Sequence, residues 1–351
     1  MNINISGLKR HFFCEKSDDM LTKERKDTKI VNYCFYSINE ATISNKIKKI
    51  PYYSNNYSIV TSYDFINIST IKDQFMEKVK LLDESKKYLL FTYSPFSFNF
   101  GDFLMQFKEP KILIFNMINT FSYLLQSLIQ LQDQNICFFQ LSPENIVFTE
   151  DLRENPLLHN FQLSLQISNL NIEYITSIIE KTNDYGLKPL EVHVLFYLIE
   201  NSLETISYSF IEEVVEVYMQ NLGVLSFFSQ SYRENYKNAC ITSLKKYMNM
   251  PKNEIILDIF NYSDKWDIYS ISVLYLHIFA SISKVFSLKQ TFMSKITLEL
   301  SKNIHPDPSK RCSLTELLDA HNKLLNSQAD WSFVNDLDAR KMRCLWEIME
   351  A

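Results

Sequence analysis

The chain has 351 residues, 46% of them hydrophobic, and a net charge of −5. That length and apolar share allow two lobes or domains, each with its own core, so the chain need not be small or disulfide-stapled. The acidic balance leaves no basic footprint for nucleic acid or an anionic membrane surface, and neither is expected as a partner.

The six cysteines (Cys14, Cys34, Cys137, Cys240, Cys312, Cys344) are widely spaced and include no CxxC pair. Reduced thiols in a cytoplasmic compartment are expected rather than a zinc site. The opening residues MNINISGLKRHFF lack an apolar core and a small-residue cleavage site, so no signal peptide is expected. No segment is expected to reach the ~20 apolar residues of a membrane helix. The most apolar stretch, Ile271–Ile282, contains His277 and reads as a buried core helix.

Average usage of about 7% would give roughly 25 glycines. There are four, each isolated: Gly7, Gly101, Gly186 and Gly223. A loop that wraps phosphates with its backbone N–H groups needs clustered glycines, because a Cβ blocks both the positive φ and the close approach. No such loop can be assigned.

In chain order, KIVNYCFYSI (Lys29–Ile38) is rich in β-branched and aromatic residues and predicts a strand. A helix is expected over about Ser44–Ile50, ended by Pro51, then a strand near Ser58–Tyr63. Ser69–Ser85 reads as a charged helical excursion. A strand follows over Lys87–Tyr93 and breaks at Ser94-Pro95, and Asn99–Phe107 predicts a short helix. From Ile112 to Gln132 the apolar residues Phe115, Ile118, Phe121, Leu124, Leu125, Leu128 and Leu131 recur with the helical period. The helix leads into CFFQLSPENIVFTEDLRENPLLHNFQLSL (Cys137–Leu165), a loop followed by two short apolar strands. Further on, helices are expected over Val192–Ser202, Phe210–Phe228 and Tyr232–Met248, from Trp266 onward, and over Leu314–Leu325.

Leu141-Ser142-Pro143-Glu144-Asn145 and its surroundings resemble the catalytic loop of the protein kinases. There His-Arg-Asp-Leu-Lys-Pro-Glu-Asn is followed by Asp-Phe-Gly. Phe138-Phe139-Gln140 stands at His-Arg-Asp, Ser142 at the Lys, and Asn160-Phe161-Gln162 at Asp-Phe-Gly. Lys188-Pro189-Leu190-Glu191 is similar to the Ala-Pro-Glu that closes the activation segment. Trp266-Asp267-Ile268-Tyr269-Ser270 resembles the start of the central helix of the large kinase lobe, and Asp307-Pro308-Ser309-Lys310-Arg311 the Asp-Pro-x-x-Arg turn. Chains of this style, poor in Gly and rich in Asn, Ile and Phe, look like kinase relatives encoded by large DNA viruses.

The resemblance implies an α+β, bilobal protein-kinase-like fold: a reduced β-rich lobe over 1–93 and a large helical lobe over 94–351, with a helical insertion at about 192–262. It implies structural roles for Phe138 and Phe161 as stacked aromatics, for Asp267 as an acceptor toward the catalytic loop, and for Glu191 with Arg311 as a buried ion pair. The chemistry is altered. Gln140 cannot take a proton as the loop Asp does. Asn160 offers a neutral carbonyl where the family places a metal-binding carboxylate. No Lys falls within Val31–Ile38 and no Glu within Ser44–Lys49, so the family's Lys–Glu pair is not found, though Lys29 or Lys46 could substitute.

Asn145 is retained, either as a loop tie or as the last trace of a metal and nucleotide site. The implied function is a pseudokinase, a protein-interaction or regulatory module with no cofactor expected. The alternative is a weak or unconventional ATP- and Mg-dependent serine/threonine kinase. A protein partner is expected through helices 192–248 or 331–349, with residence in the cytoplasm, or in a host cytoplasm or virion if the chain is viral. For the insertion, a cover that packs on its own lobe is equally open.

Overall fold

The computed structural model describes residues 28–66, 85–149, 155–182, 186–289, 291–328, 330–332, 334 and 338–350. The expected excursion at 69–84, the opening residues, and Phe333 and Leu337 of the terminal stretch lie outside them. The class is α+β, with a small sheet-bearing region and a larger helical one. Two compact units divide the chain, one over residues 1–107 and 115–166, the other over 108–114 and 167–349.

All named strands fall in the first unit. Strands β1 (Thr28–Asn32), β3 (Val60–Ile66) and β4 (Tyr88–Tyr93) form an antiparallel sheet in the order β1-β4-β3, with an irregularity in β3 between Val60 and Ser62. Helix α1 (Phe35–Ile47) lies between β1 and the short β2 (Tyr57–Ser58). Ala41, Val60, Leu89, Phe91 and Tyr93 form a core cluster there, with Val31 packed against it.

The expected strand over Lys29–Ile38 is corrected. It stops at Asn32, and α1 begins at Phe35, nine residues before Ser44. The local cause is a reciprocal turn at Cys34: its N–H donates to Ser37 Oγ, and Ser37 Oγ–H donates back to Cys34 O, both at 3.0 Å. That closes the first helical turn, in the manner of a capping box. Ile43 and Ile47, four apart, are then fully buried on one helical face. The strand-like composition of Tyr33–Ile38 reflects side chains that remain largely exposed at Tyr33, Phe35 and Ile38.

After β5 (Phe98–Asn99) come α2 (Phe100–Met105), capped by Asn99 Oδ1 accepting from Asp102 N at 2.9 Å, and the long α3 (Pro110–Asp133). A second sheet has the order β2-β8-β7-β5, where β7 is Ile146–Phe148 and β8 is Leu157–His159. Phe148 lies fully buried under Phe103, their rings stacked 3.8 Å apart. Such stacking adds about 0.5–1.5 kcal/mol to burial.

The second unit is helical: α4 (Ile172–Glu180), α5 (Leu190–Glu200), α6 (Tyr208–Asn221), α7 (Gln230–Leu244), α8 (Lys252–Phe260), α9 (Trp266–Val285), α10 (Phe292–Asn303), α11 (Leu314–Gln328) and α12 (Ala339–Glu350). Every residue of α9 from Trp266 to Ile282 is buried, which makes it the unit's central rod. By length and composition, Pro110–Asp133 and Ser263–Val285 are apolar enough to cross a membrane, and most of each is buried in the protein. The expectation that no segment is long and apolar enough is corrected: scattered Ser, Thr, Asn and Gln break the apolar runs without lowering the average much.

The expected insertion corresponds to α5–α8, and its aromatics divide. Phe210 and Tyr218 are buried, whereas Tyr208 and Phe227 are exposed. The hydroxyls of Tyr218, Tyr236 and Tyr269 join at 2.8 and 2.7 Å, and Tyr236 donates onward to Ile304 O at 2.5 Å. Helices α6 and α7 are thereby hydrogen-bonded to α9 and to the residue that follows α10.

Candidate functional site

The stretch from Ile136 to Gln166 is closed at its base by a two-stranded ladder. Strand β6 (Ile136–Cys137) pairs antiparallel with β9 (Leu165–Gln166), Ile136 opposite Gln166 and Cys137 opposite Leu165. Inside it the β7/β8 hairpin pairs Ile146 with Leu158 and Val147 with Leu157. These two pairings bring segments 138–145 and 160–164 together, which is how positions fifteen or more apart in sequence meet.

Where they meet, polar groups satisfy one another. Gln140 Oε1 accepts from Leu163 N at 2.9 Å, and the Gln140 carbonyl accepts from Asn145 Nδ2 at 2.8 Å. Asn145 Oδ1 accepts in turn from Asn160 Nδ2 at 3.1 Å. Ser142 starts the 3-10 turn Pro143–Asn145, its carbonyl accepting from Asn145 N at 3.1 Å. Ser164 Oγ–H donates to Phe138 O at 2.8 Å. Phe138 and Phe161 are fully buried, with ring centroids 5.2 Å apart and edge to face, and Tyr57 meets Phe161 at 6.2 Å.

Two residues here hold left-handed backbone, Phe139 at φ 62° and Asn160 at φ 65°. Asn tolerates that region, whereas for the bulky Phe139 it costs on the order of 1 kcal/mol or more. Burial of Phe139, at 1% exposure, offsets the strain.

Sequence reasoning missed the contribution of α1. Asn39 donates through Nδ2 to Gln162 O at 3.1 Å and Ser164 O at 2.9 Å, and Glu40 Oε1 accepts from Phe161 N at 3.3 Å. Both residues are buried. The signal that could have exposed them is the Cys34–Ser37 turn with Ile43 and Ile47 at helical spacing, which extends the helix back over Asn39 and Glu40. Thus α1 does carry a Glu, and Lys29 lies within β1 opposite Phe91. The expectation that the helix lacks a Glu is corrected.

No family model and no curated protein matches the chain. Among solved structures it is similar to the autoinhibited serine kinase domain of the giant muscle protein titin, with TM-score 0.42 and 12% identity over 92% of this chain and 78% of that one. Each residue assignment therefore stands on this chain's own geometry.

His159, beside Asn160, is a packed histidine. Its ring lies 5.2 Å from that of Tyr93 and 4.7 Å from that of Phe96, and Nδ1 is 3.2 Å from both Ser58 O and Ser58 Oγ. Burial pushes its pKa down to about 4, against the opposing pull of a hydrogen bond donated by Nδ1 to the Ser58 carbonyl. It is neutral at neutral pH.

Chemically, the positions 140, 145 and 160 are all amides. They accept and donate hydrogen bonds but carry no charge and take no proton. Among the described residues no three His, Cys, Asp or Glu side chains gather as a metal site. A hard dication such as Mg²⁺ is held by carboxylates and water, and Asn145 Oδ1 and Asn160 offer it at most neutral carbonyls. These residues do not fit the metal.

The remaining residues lie in the second unit. Arg311 Nη1 and Nη2 donate to Glu191 Oε1 and Oε2 at 2.6 and 2.9 Å, and Arg311 Nε donates to His305 O at 2.8 Å. Both side chains are almost fully buried, and the guanidinium lies 5.0 Å from the Tyr269 ring centroid. Asp267 is buried in the first turn of α9, and Ser270 Oγ–H donates to Leu187 O at 2.8 Å, which ties α9 to the segment before α5.

Proposed function

We propose that this chain is a protein-kinase-like module that has lost conventional phosphoryl transfer and works by binding other proteins in the cytoplasm. The observation that carries the reading is the run of neutral amides Gln140, Asn145 and Asn160, hydrogen-bonded in a chain through the Gln140 backbone carbonyl, at the places that the resemblance gives to a catalytic base and two metal ligands. Phosphoryl transfer relies on charge stabilisation by metal ions and on a carboxylate that orients the attacking hydroxyl. The three amides at 140, 145 and 160 supply neither.

The test incubates the purified chain with ATP, Mg²⁺ or Mn²⁺ and generic protein substrates. No transfer above background is expected. Transfer that disappears in Asn145→Ala overturns the reading.

One observation favours a second reading, a residual ATP-dependent serine/threonine transferase. Lys29 on β1 and the buried Glu40 on α1 supply the residue types of the nucleotide-gripping pair that the resemblance calls for. A thermal-shift titration separates the two, since a ligand that binds only the folded state raises the midpoint with its concentration. A midpoint that climbs with ATP, and does so less in Lys29→Ala, supports the second reading. A flat response to ATP and ADP, with or without Mg²⁺, removes it.

A further inference from the structure

In the second unit, the end of α5 and the start of α6 border an open-sided cavity of about 360 Å³. Tyr197, Asn201, Ser207, Phe210, Glu213 and Asn249 are among its walls, and among the described residues Glu213 is the only charged side chain that lines it. The Tyr197 and Phe210 rings meet edge to face at 5.5 Å, and the Tyr197 hydroxyl donates to Glu213 Oε1 at 3.3 Å. Tyr197 is half-buried and lines the cavity with part of its surface exposed. Burial and the carboxylates of Glu213 and Glu200 hold its phenol protonated. The walls are pinned by backbone: Lys252 N donates to Glu204 O at 2.7 Å and Asn249 N to Ile206 O at 3.1 Å. Glu200, Glu204 and Glu212 are exposed on the same segments.

An aromatic side chain hydrogen-bonded to an exposed carboxylate, with further acids around it, suits a cation. The ring attracts a guanidinium or ammonium through its quadrupole, and the carboxylate supplies a full opposite charge. The start of α6 acts the other way, but a helix N-terminus favours anions by only about 0.3–1 kcal/mol. Ser207 Oγ already accepts from Phe210 N at 3.2 Å, and an anion here would face Glu213. We infer that this cavity receives an arginine or lysine side chain from a basic segment of a partner protein. The inference names the partner chemistry for the binding role proposed above, yet its residues are independent of the amide set. An ATP-dependent activity would overturn that reading and leave this one standing.

The probe is a fluorescein-labelled Gly-Ser peptide carrying two arginines, with a twin carrying two glutamines, followed by anisotropy against the full chain at low salt. Saturable binding of the arginine peptide alone is expected, weakened about fivefold or more by Glu213→Gln. Glu234→Gln, which removes an equal charge from the exposed face of α7, should leave it unchanged. Absent binding, equal binding of the twin, or equal weakening by Glu213→Gln and Glu234→Gln would each overturn the proposal. Inorganic phosphate raising the melting midpoint of the wild type but not of Ser207→Ala would also overturn it, in favour of an anion site.

Discussion

The loop cluster around Asn145 and the ion pair around Arg311 solve the same problem in opposite ways. Each gathers polar groups that lie far apart in sequence and must be satisfied once removed from water. In the first unit every member is a neutral amide, hydroxyl or backbone group, apart from Glu40, and the bonds run in a chain through Gln140, Asn145 and Asn160. In the second unit a full charge meets a full charge, with Arg311 spending its Nε on His305 O as well. Neutral networks lose little when one link goes. Buried ion pairs lose much, because the surviving charge has no water to return to.

The sharpest break in this comparison is Arg311→Ala. It strands Glu191 in the core and should cost about 3–5 kcal/mol, read as a lowered denaturant midpoint with an unchanged slope. Replacing Glu191 and Arg311 together by Met should cost far less than the single change. Equal losses would show that the pair is not a coupled unit.

The next effect is pH-driven and arises in the first unit. In the unfolded chain His159 takes its proton near 6.5, whereas in the fold it does so only near 4. Between those values the unfolded state binds the extra proton, so stability falls as pH drops from about 6.5 to 4. The loss should reach up to about 3 kcal/mol. Comparing chemical denaturation at both pH values for wild type and His159→Phe isolates the term, because the variant should lose that part of the slope.

A smaller effect is expected from Asn145→Ala, which frees one donor and one acceptor of the amide chain. A loss of about 1–2 kcal/mol should appear as a modest drop in melting midpoint. A loss as large as that of Arg311→Ala would mean the loop is far less forgiving than a neutral network should be. At the bottom of the scale, the exposed pair Lys237–Glu216 should contribute nothing measurable, and Lys237→Ala should melt with the wild type.

The sequence made these regions legible to different degrees. Helix α3 was readable from its period, and the Glu191 and Arg311 positions from short motifs, because those signals are local. The start of α1 was not, since Tyr33, Phe35, Tyr36 and Ile38 favour strands by composition while a turn between Cys34 and Ser37 decides the outcome. The places of Asn39 and Glu40 beside segment 161–164 depend on residues more than a hundred positions away. No local pattern encodes that distance. The split of the aromatics in α6 was equally hidden, because Tyr208 and Tyr218 look alike until the phenol of Tyr218 finds those of Tyr236 and Tyr269.

That joined set of phenols also gives the protein an internal gauge of its own unfolding. Tyr218, Tyr236 and Tyr269 are all raised, first by burial, so in alkali they keep their protons while exposed tyrosines release theirs. The unfolded chain ionises them near the ordinary value of 10, so their contribution holds below that value and drains away as pH climbs above it. A base titration followed by phenolate absorbance should therefore climb in two stages, a gradual one from surface rings and an abrupt one when the interior opens. The height of the second stage counts the tyrosines that had been sealed inside.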